Sequence, residues 1–134
     1  MDVKAIRQGL ATAAGTITTL RCYRTLPGAI NPPAFAPVEL EMAYHNTFSN
    51  ARGLTDVTFT CGVYVPDTDQ GSDLLDGFMA ETGAGSVAAA LEADKTLGGV
   101  AKTLIVQKVR GVGRLYDVGD TQYLGGMIDV RVWA

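Results

Sequence analysis

Residues 54–65 read LTDVTFTCGVYV and residues 127–133 read MIDVRVW. In the first, Val57, Phe59, Cys61, Val63 and Val65 alternate with Thr58, Thr60 and Tyr64; in the second, Ile128, Val130 and Val132 alternate with Asp129, Arg131 and Trp133. A two-residue period places successive side chains on opposite faces of a strand. Two segments of this kind require a sheet whose apolar face is covered by other elements.

The remaining pattern supplies that cover. Val3, Ile6, Leu10 and Ala14 recur at helical spacing behind a capping Asp2, which predicts a helix over 2–14, with Gly15 as a left-handed stop. Gly9 inside it weakens the helix by roughly 1 kcal/mol relative to alanine, which suggests a close packing partner. Residues 20–26, LRCYRTL, alternate as a strand with Leu20, Cys22 and Leu26 on one face. PGAINPPAFAP follows, and its four prolines predict an extended surface loop or an edge segment. In VELEMAY, Val38, Leu40 and Met42 are expected to point inward and Glu39 and Glu41 outward. The polar stretch HNTFSNARG, 45–53, then reads as the tip or arm of a hairpin.

Residues 66–83 suit a helix capped by Asp67 or Thr68, with a stripe of Gly71, Leu74, Leu75, Phe78 and Met79, and ended by Gly83. A second short helix is capped by Ser86 and turns Val87, Ala90 and Leu91 to the core. Gly98-Gly99 turns the chain into a strand over 100–112, where Leu104 and Val106 compete with Ile105 and Val109 for the inward face. GVGR at 111–114 marks a bend, and Gly119-Asp120 the turn of a closing hairpin. The order α, β, β, β, α, α, β, β, β argues an α+β fold: an antiparallel or mixed β-sheet with an N-terminal helix and two central helices packed on it. At 134 residues the chain, 1–134, is expected to form a single domain.

Little in the sequence carries chemistry. GVGR lacks the third glycine and the following helix of a dinucleotide site, and GAGS at 83–86 lacks the GK[ST] of a P-loop. The aspartates at 67, 69, 73 and 76 do not have EF-hand spacing. No serine sits in GxSxG. One histidine and two cysteines without CxxC make a zinc site improbable. Cys22 and Cys61 are expected to be thiols, as in a reducing compartment. No apolar run approaches the roughly 18 residues of a membrane span. MDVKAIRQGL lacks the order of a secretory signal, so the chain is expected in the cytosol. No catalytic residue, cofactor or metal is expected.

Charge is the more informative feature. From Asp67 to Asp94 there are seven acidic residues and no basic one; from Lys95 to Arg114 there are five basic residues and no acidic one. Asp67, Asp69, Asp73 and Asp76 on one side, and Lys95, Lys102, Lys108, Arg110 and Arg114 on the other, either form two solvated faces of a monomer or meet between subunits. The second reading is a head-to-tail contact, which closes into a ring when the rotation permits.

The segments IRQGLATA, INPPAF, LTDVTFTCGVYV, GAGSVAAALEADKTLGGVAKTLIV and YLGGMIDVRVWA, taken in order over nearly the whole chain, resemble tail terminator proteins of long non-contractile-tailed phages, those of actinobacteria above all. The resemblance implies a virion structural protein with an α+β fold and no enzymatic activity. It would form a hexameric ring on the head-proximal end of the tail tube, stop tube polymerisation and present a surface to the head–tail connector. The implied partners are other copies of the chain, the tail tube protein and a neck protein. Genomic DNA would pass through the lumen without sequence-specific binding. A chain of this length has a radius of gyration of about 14 Å, and six such bodies leave a hole of about 35 Å, wide enough for a duplex. Lys/Arg contacts to phosphate would retard passage, so Lys102, Lys108 and Arg110 are expected to face protein. In the arm, Phe48 and Arg52 are the anchor candidates for gripping a neighbour or the tube. Two other readings stay open: a head–tail connector or neck protein, and a small α+β enzyme or ligand-binding domain.

Overall fold

The computed structural model describes residues 2–43, 56–83 and 85–133. Five strands form one sheet in the order β1-β2-β3-β5-β4, with β1 Arg21–Cys22, β2 Ala34–Ala43, β3 Asp56–Val65, β4 Thr103–Val118 and β5 Thr121–Trp133. Among the described residues only the short β1–β2 pair is parallel. The helices are α1 Val3–Ala14, α2 Asp69–Phe78 and α3 Val87–Glu92. The chain is thus an α+β protein with a mixed sheet, an N-terminal helix and two central helices.

Each helix begins where a side-chain oxygen replaces a missing backbone acceptor. Asp2 accepts from Ala5 N at 3.1 Å, Thr68 from Gly71 N at 3.0 Å and Ser86 from Ala89 N at 3.1 Å. The Ser86 hydroxyl also donates to the Ala80 carbonyl at 2.6 Å, which ties the start of α3 to the end of α2.

The core lies between these helices and one face of the sheet. Val57, Phe59, Cys61, Val63 and Val65 of β3, with Ile128, Val130 and Val132 of β5 and Leu104 of β4, are all fully buried. They meet Ile6 and Leu10 of α1, Leu75 and Phe78 of α2, and Val87 and Leu91 of α3 in one cluster. Fully burying such a side chain contributes about 1.5–3 kcal/mol. Gly9 has the close partner its presence suggests: a Cβ there would sit 2.8 Å from Cβ of Leu97.

The opposite face of the sheet is covered over one half only. Tyr64, Ala34 and Val118 are buried there with Ile30, against Tyr23, Leu26, Tyr116, Tyr123 and Met127, so the chain after β1 folds across that half. Tyr64 and Tyr116 meet edge to face with centroids 6.0 Å apart.

Several expectations are corrected. The strand expected over 20–26 shrinks to Arg21–Cys22, and Leu26 serves the second cluster instead. The proline-rich stretch is not a surface loop throughout: Ala34, Phe35 and Ala36 are buried in β2, and Pro37 belongs to the strand. Proline is tolerated there because β1 ends at the partner of Phe35, so no strand lies beyond Pro37 to receive its missing N–H. The register shifts between Pro37 and Glu39, which leaves Val38 exposed rather than inward. Gly15 caps α1 at φ −66°, in the right-handed region, not as a left-handed stop. Helix α2 ends at Phe78, well before Gly83, and Leu74 is 42% exposed rather than part of the buried stripe.

The ambiguous inward face of β4 is resolved by a bulge. Before it, Leu104 is buried and Ile105 exposed; the register shifts between Val106 and Lys108, and Val109 then packs on the core. The strand expected from residue 100 begins at Thr103, after a 3₁₀ turn at Leu97–Gly99 in which Gly98 and Gly99 have φ of 75° and 97°. It runs on through GVGR, where a second irregularity falls between Arg110 and Arg114, so the last two expected strands and this one make a single long hairpin.

The two glycines of α2 separate propensity from packing. A Cβ at Gly71 would collide with the Pro66 carbonyl, whereas one at Gly77 would meet nothing within 4 Å. Gly77→Ala is expected to raise unfolding free energy by about 0.5–1 kcal/mol. Gly71→Ala is expected to lower it by about 1–3 kcal/mol. Urea denaturation of both variants checks the opposite signs.

Candidate assembly surface

The uncovered half of the second sheet face is built by strand register. Directly opposite residues form one row Glu39–Thr60–Asp129–Lys108 and a second row Glu41–Thr58–Arg131–Ile105. These side chains share a face because each strand alternates and the apolar set has taken the other side. Asp129 is buried to 6% exposure at the centre of the first row. Thr60 Oγ1 donates to it at 3.0 Å, Arg110 Nε donates at 3.1 Å, and Lys108 Nζ lies 3.8 Å away.

Beside this network, Arg131 Nε donates to both oxygens of the buried Asp56, at 2.9 and 3.0 Å, and its Nη2 closes the fork. The guanidinium lies 4.8 Å from the centroid of the Trp133 ring. Hydrogen bonding to Asp129, then its charge, raises the pKa of Arg110, and hydrogen bonding to Asp56 does the same for Arg131. The buried carboxylates are thus engaged by guanidinium groups, which ties β3, β5 and β4 together across this face. Among the described residues no three His, Cys, Asp or Glu side chains are grouped as metal ligands, and no helix is long and apolar enough to cross a membrane.

The residues expected to meet a neighbour fall into distinct groups. Lys108 and Arg110 lie on the sheet face and are drawn to Asp129 of the same chain. Lys95, Lys102 and Arg114 are exposed, and among the described residues they make no ion pair. Asp67, Asp69, Asp73 and Asp76 are all exposed and equally unpaired, the last three on α2. Phe48 and Arg52, with the arm at 45–53, lie outside the described residues.

Sequence reasoning missed two groups. Asp129, Thr60, Asp56 and Arg131 were visible only as the polar half of strand alternation. Lys4, Arg7, Arg21 and Arg24 are not among the expected contact residues, although residues 3–38 contain these four bases and no acid. None of the four makes an ion pair among the described residues. A groove of about 500 Å³ runs between α1 and α3, lined by Ala5, Gln8, Gly9, Thr12 and Ala13 on the α1 side and Ala90, Ala93, Asp94 and Leu97 on the other.

No protein-family model matches the chain, and no curated protein is detectably similar to it.

The cysteines are free thiols, Cys22 half-buried and Cys61 fully buried. Burial pushes the Cys22 thiol up to about 11, and burial with the nearby Asp129 charge pushes Cys61 higher still. The unfolded chain releases these protons near the ordinary value of 9.0, so above it the unfolded state binds fewer protons than the folded one. Stability is therefore expected to fall as pH rises from about 9 toward 11, less steeply in Cys61→Ala; urea midpoints across that range check the slope. In the network, Thr60→Val removes a hydrogen bond to Asp129 and is expected to cost about 1 kcal/mol. Urea unfolding in 1 M salt should show the same loss, because the lost bond is short-range.

Proposed function

We propose that this chain is a virion structural protein: a tail terminator that forms a ring, most simply a hexamer, on the head-proximal end of a long non-contractile phage tail. The ring stops tube polymerisation and offers the joining surface for the head–tail connector, while the genome passes through its lumen. The observation that carries this reading is the separation of unpaired charge. The acids of α2 and the bases of residues 3–38 lie on different elements of the chain and make no ion pair among the described residues. Opposite charges on different surfaces of the same chain favour head-to-tail contacts, which close into rings. The resemblance of the ordered segments supplies the phage context. The engagement of Lys108 and Arg110 by Asp129 supports a lumen in which these two side chains do not grip phosphate.

Mass in solution with negative-stain imaging, with and without purified tail tubes, is the direct test. The expected result is rings, or density capping one end of tubes of uniform length, on tails that lack heads. Density that stays with the capsid would assign a neck protein instead. A chain that remains monomeric with tubes present and leaves their growth unchecked would end the proposal. Titration of purified tube protein should give capped, length-limited tubes at about one ring per tube.

A further inference from the structure

The two outer edges of the sheet differ in charge. Among the described residues no strand pairs with the outer side of β4, or with β2 beyond Phe35, where β1 stops. The free stretch of β2 carries Glu39 and Glu41 and no base. The edge strand β4 carries Lys108, Arg110 and Arg114, with Lys102 just before it, and no acid until Asp117. Glu39 and Glu41 are exposed and make no ion pair among the described residues. Asp129 sets a single charge against both Lys108 and Arg110, and the Lys108 side chain is 64% exposed, so the β4 edge stays positive.

Register places these charges for contact. Glu39 and Lys108 end one cross-strand row, and Glu41 and Arg110 follow two residues along, so all four project from the same side of the sheet. On the other side both edges hold apolar side chains that are only half-buried: Leu40 and Met42 on β2, Val106 and Val109 on β4. The matching side chains of β3 and β5 are fully buried. Strands β2, β3, β5 and β4 are antiparallel at every step, so a copy set alongside with its strands in the same sense brings its β2 antiparallel to this β4. A single register then sets Glu41 opposite Lys108, Leu40 opposite Val109 and Glu39 opposite Arg110. Val106, whose N–H donates to the Glu92 carboxylate at 3.1 Å, lies just outside that stretch. Beside the edge a groove of about 630 Å³ separates residues 106–109 from the α2–α3 connection, and its two acids, Glu81 and Glu92, come from the helix side of the sheet, away from Glu39 and Glu41.

We infer that β2 of one copy pairs antiparallel with the β4 edge of the next, so that the sheet continues from copy to copy. Main-chain hydrogen bonds and the packing of Leu40 on Val109 hold the strands together, and the charges choose the partner. Pairing β4 with β4, or β2 with β2, would set like charges opposite each other, which is destabilising. The contact is heterologous, so each copy offers one edge of each kind and the series continues until it closes. The paired stretch is short, so an isolated pair is weak and closure of the series stabilises it. As the contact within the proposed ring it rests on the assembly reading above, but it makes no use of the tail tube.

Cysteine trapping captures weak contacts. The chain carrying Glu41→Cys and Lys108→Cys is expected to give disulfide-linked dimers and higher multiples under mild oxidation, because directly opposite residues of paired strands come within disulfide reach. Within one chain β3 and β5 separate the two positions, so no internal bridge competes. Neither single-cysteine chain should give dimers beyond the wild-type level; dimers from either one would show like edges pairing and overturn the proposal. Charge reversal gives a second, independent reading. Glu41→Lys and Lys108→Glu should each weaken self-association at low salt by about fivefold in sedimentation, with circular dichroism unchanged, and the chain carrying both should regain it, because the reversed edges again meet their opposites. Wild-type rings or tube capping that persist in both reversed variants, with no trapping in the double-cysteine chain, would overturn this contact and leave the ring standing. Trapping without tube capping would keep the contact and remove the tail assignment. A wild-type chain that neither associates nor caps would overturn both.

Discussion

The structure depends on the burial of one face of β3. Five of its side chains, from Val57 to Val65, are fully buried, and like β5 it has long partners on both sides. Helix α2 packs over β3 itself, while α1 and α3 join the same buried cluster from the flanking strands β2 and β4. A one-residue slip of β3 would exchange these side chains for Thr58, Thr60, Gly62 and Tyr64, so the hydrophobic set holds the register of β2 and β5 as well.

That register decides the polar side of the molecule. Once Phe59 and Cys61 face the helices, Thr58 and Thr60 must face away, and their cross-strand partners Arg131 and Asp129 come with them. Asp129 then lies between β3 and β4, where Thr60, Arg110 and Lys108 converge on it. Truncating one partner of such a network leaves a buried carboxylate poorly compensated, which ties the polar face to fold integrity. The charges on α1 and α2 make no such ion pair among the described residues.

Much of the fold was legible in the sequence. The α1 stripe, the caps at Asp2, Thr68 and Ser86, the inward faces of β3 and β5 and the turn at Gly119 are local properties set by helical or two-residue periodicity. The errors fall where a long-range contact overrides a local rule. Pro37 sits in a strand because β1 is too short to reach it. Val38 is exposed because a bulge drops it from the ladder. Both candidate faces of β4 are used in turn because a second bulge shifts the strand by one residue. Helix α2 ends early because Met79 and the chain beyond it turn to meet Gly126 and the start of α3.

By itself the sequence determined the class of fold, the position of the covered strands and the existence of acidic and basic blocks, since these follow from periodicity and composition. Only the tertiary structure decided which charges are free. Lys108 and Arg110 read as members of a basic surface until the β4–β5 register set them against Asp129. The structure leaves Lys4 and Arg7 of α1 without an ion pair among the described residues. The physical reason is that an ion pair depends on distance in space, and pairing across strands joins residues that sequence separation keeps apart.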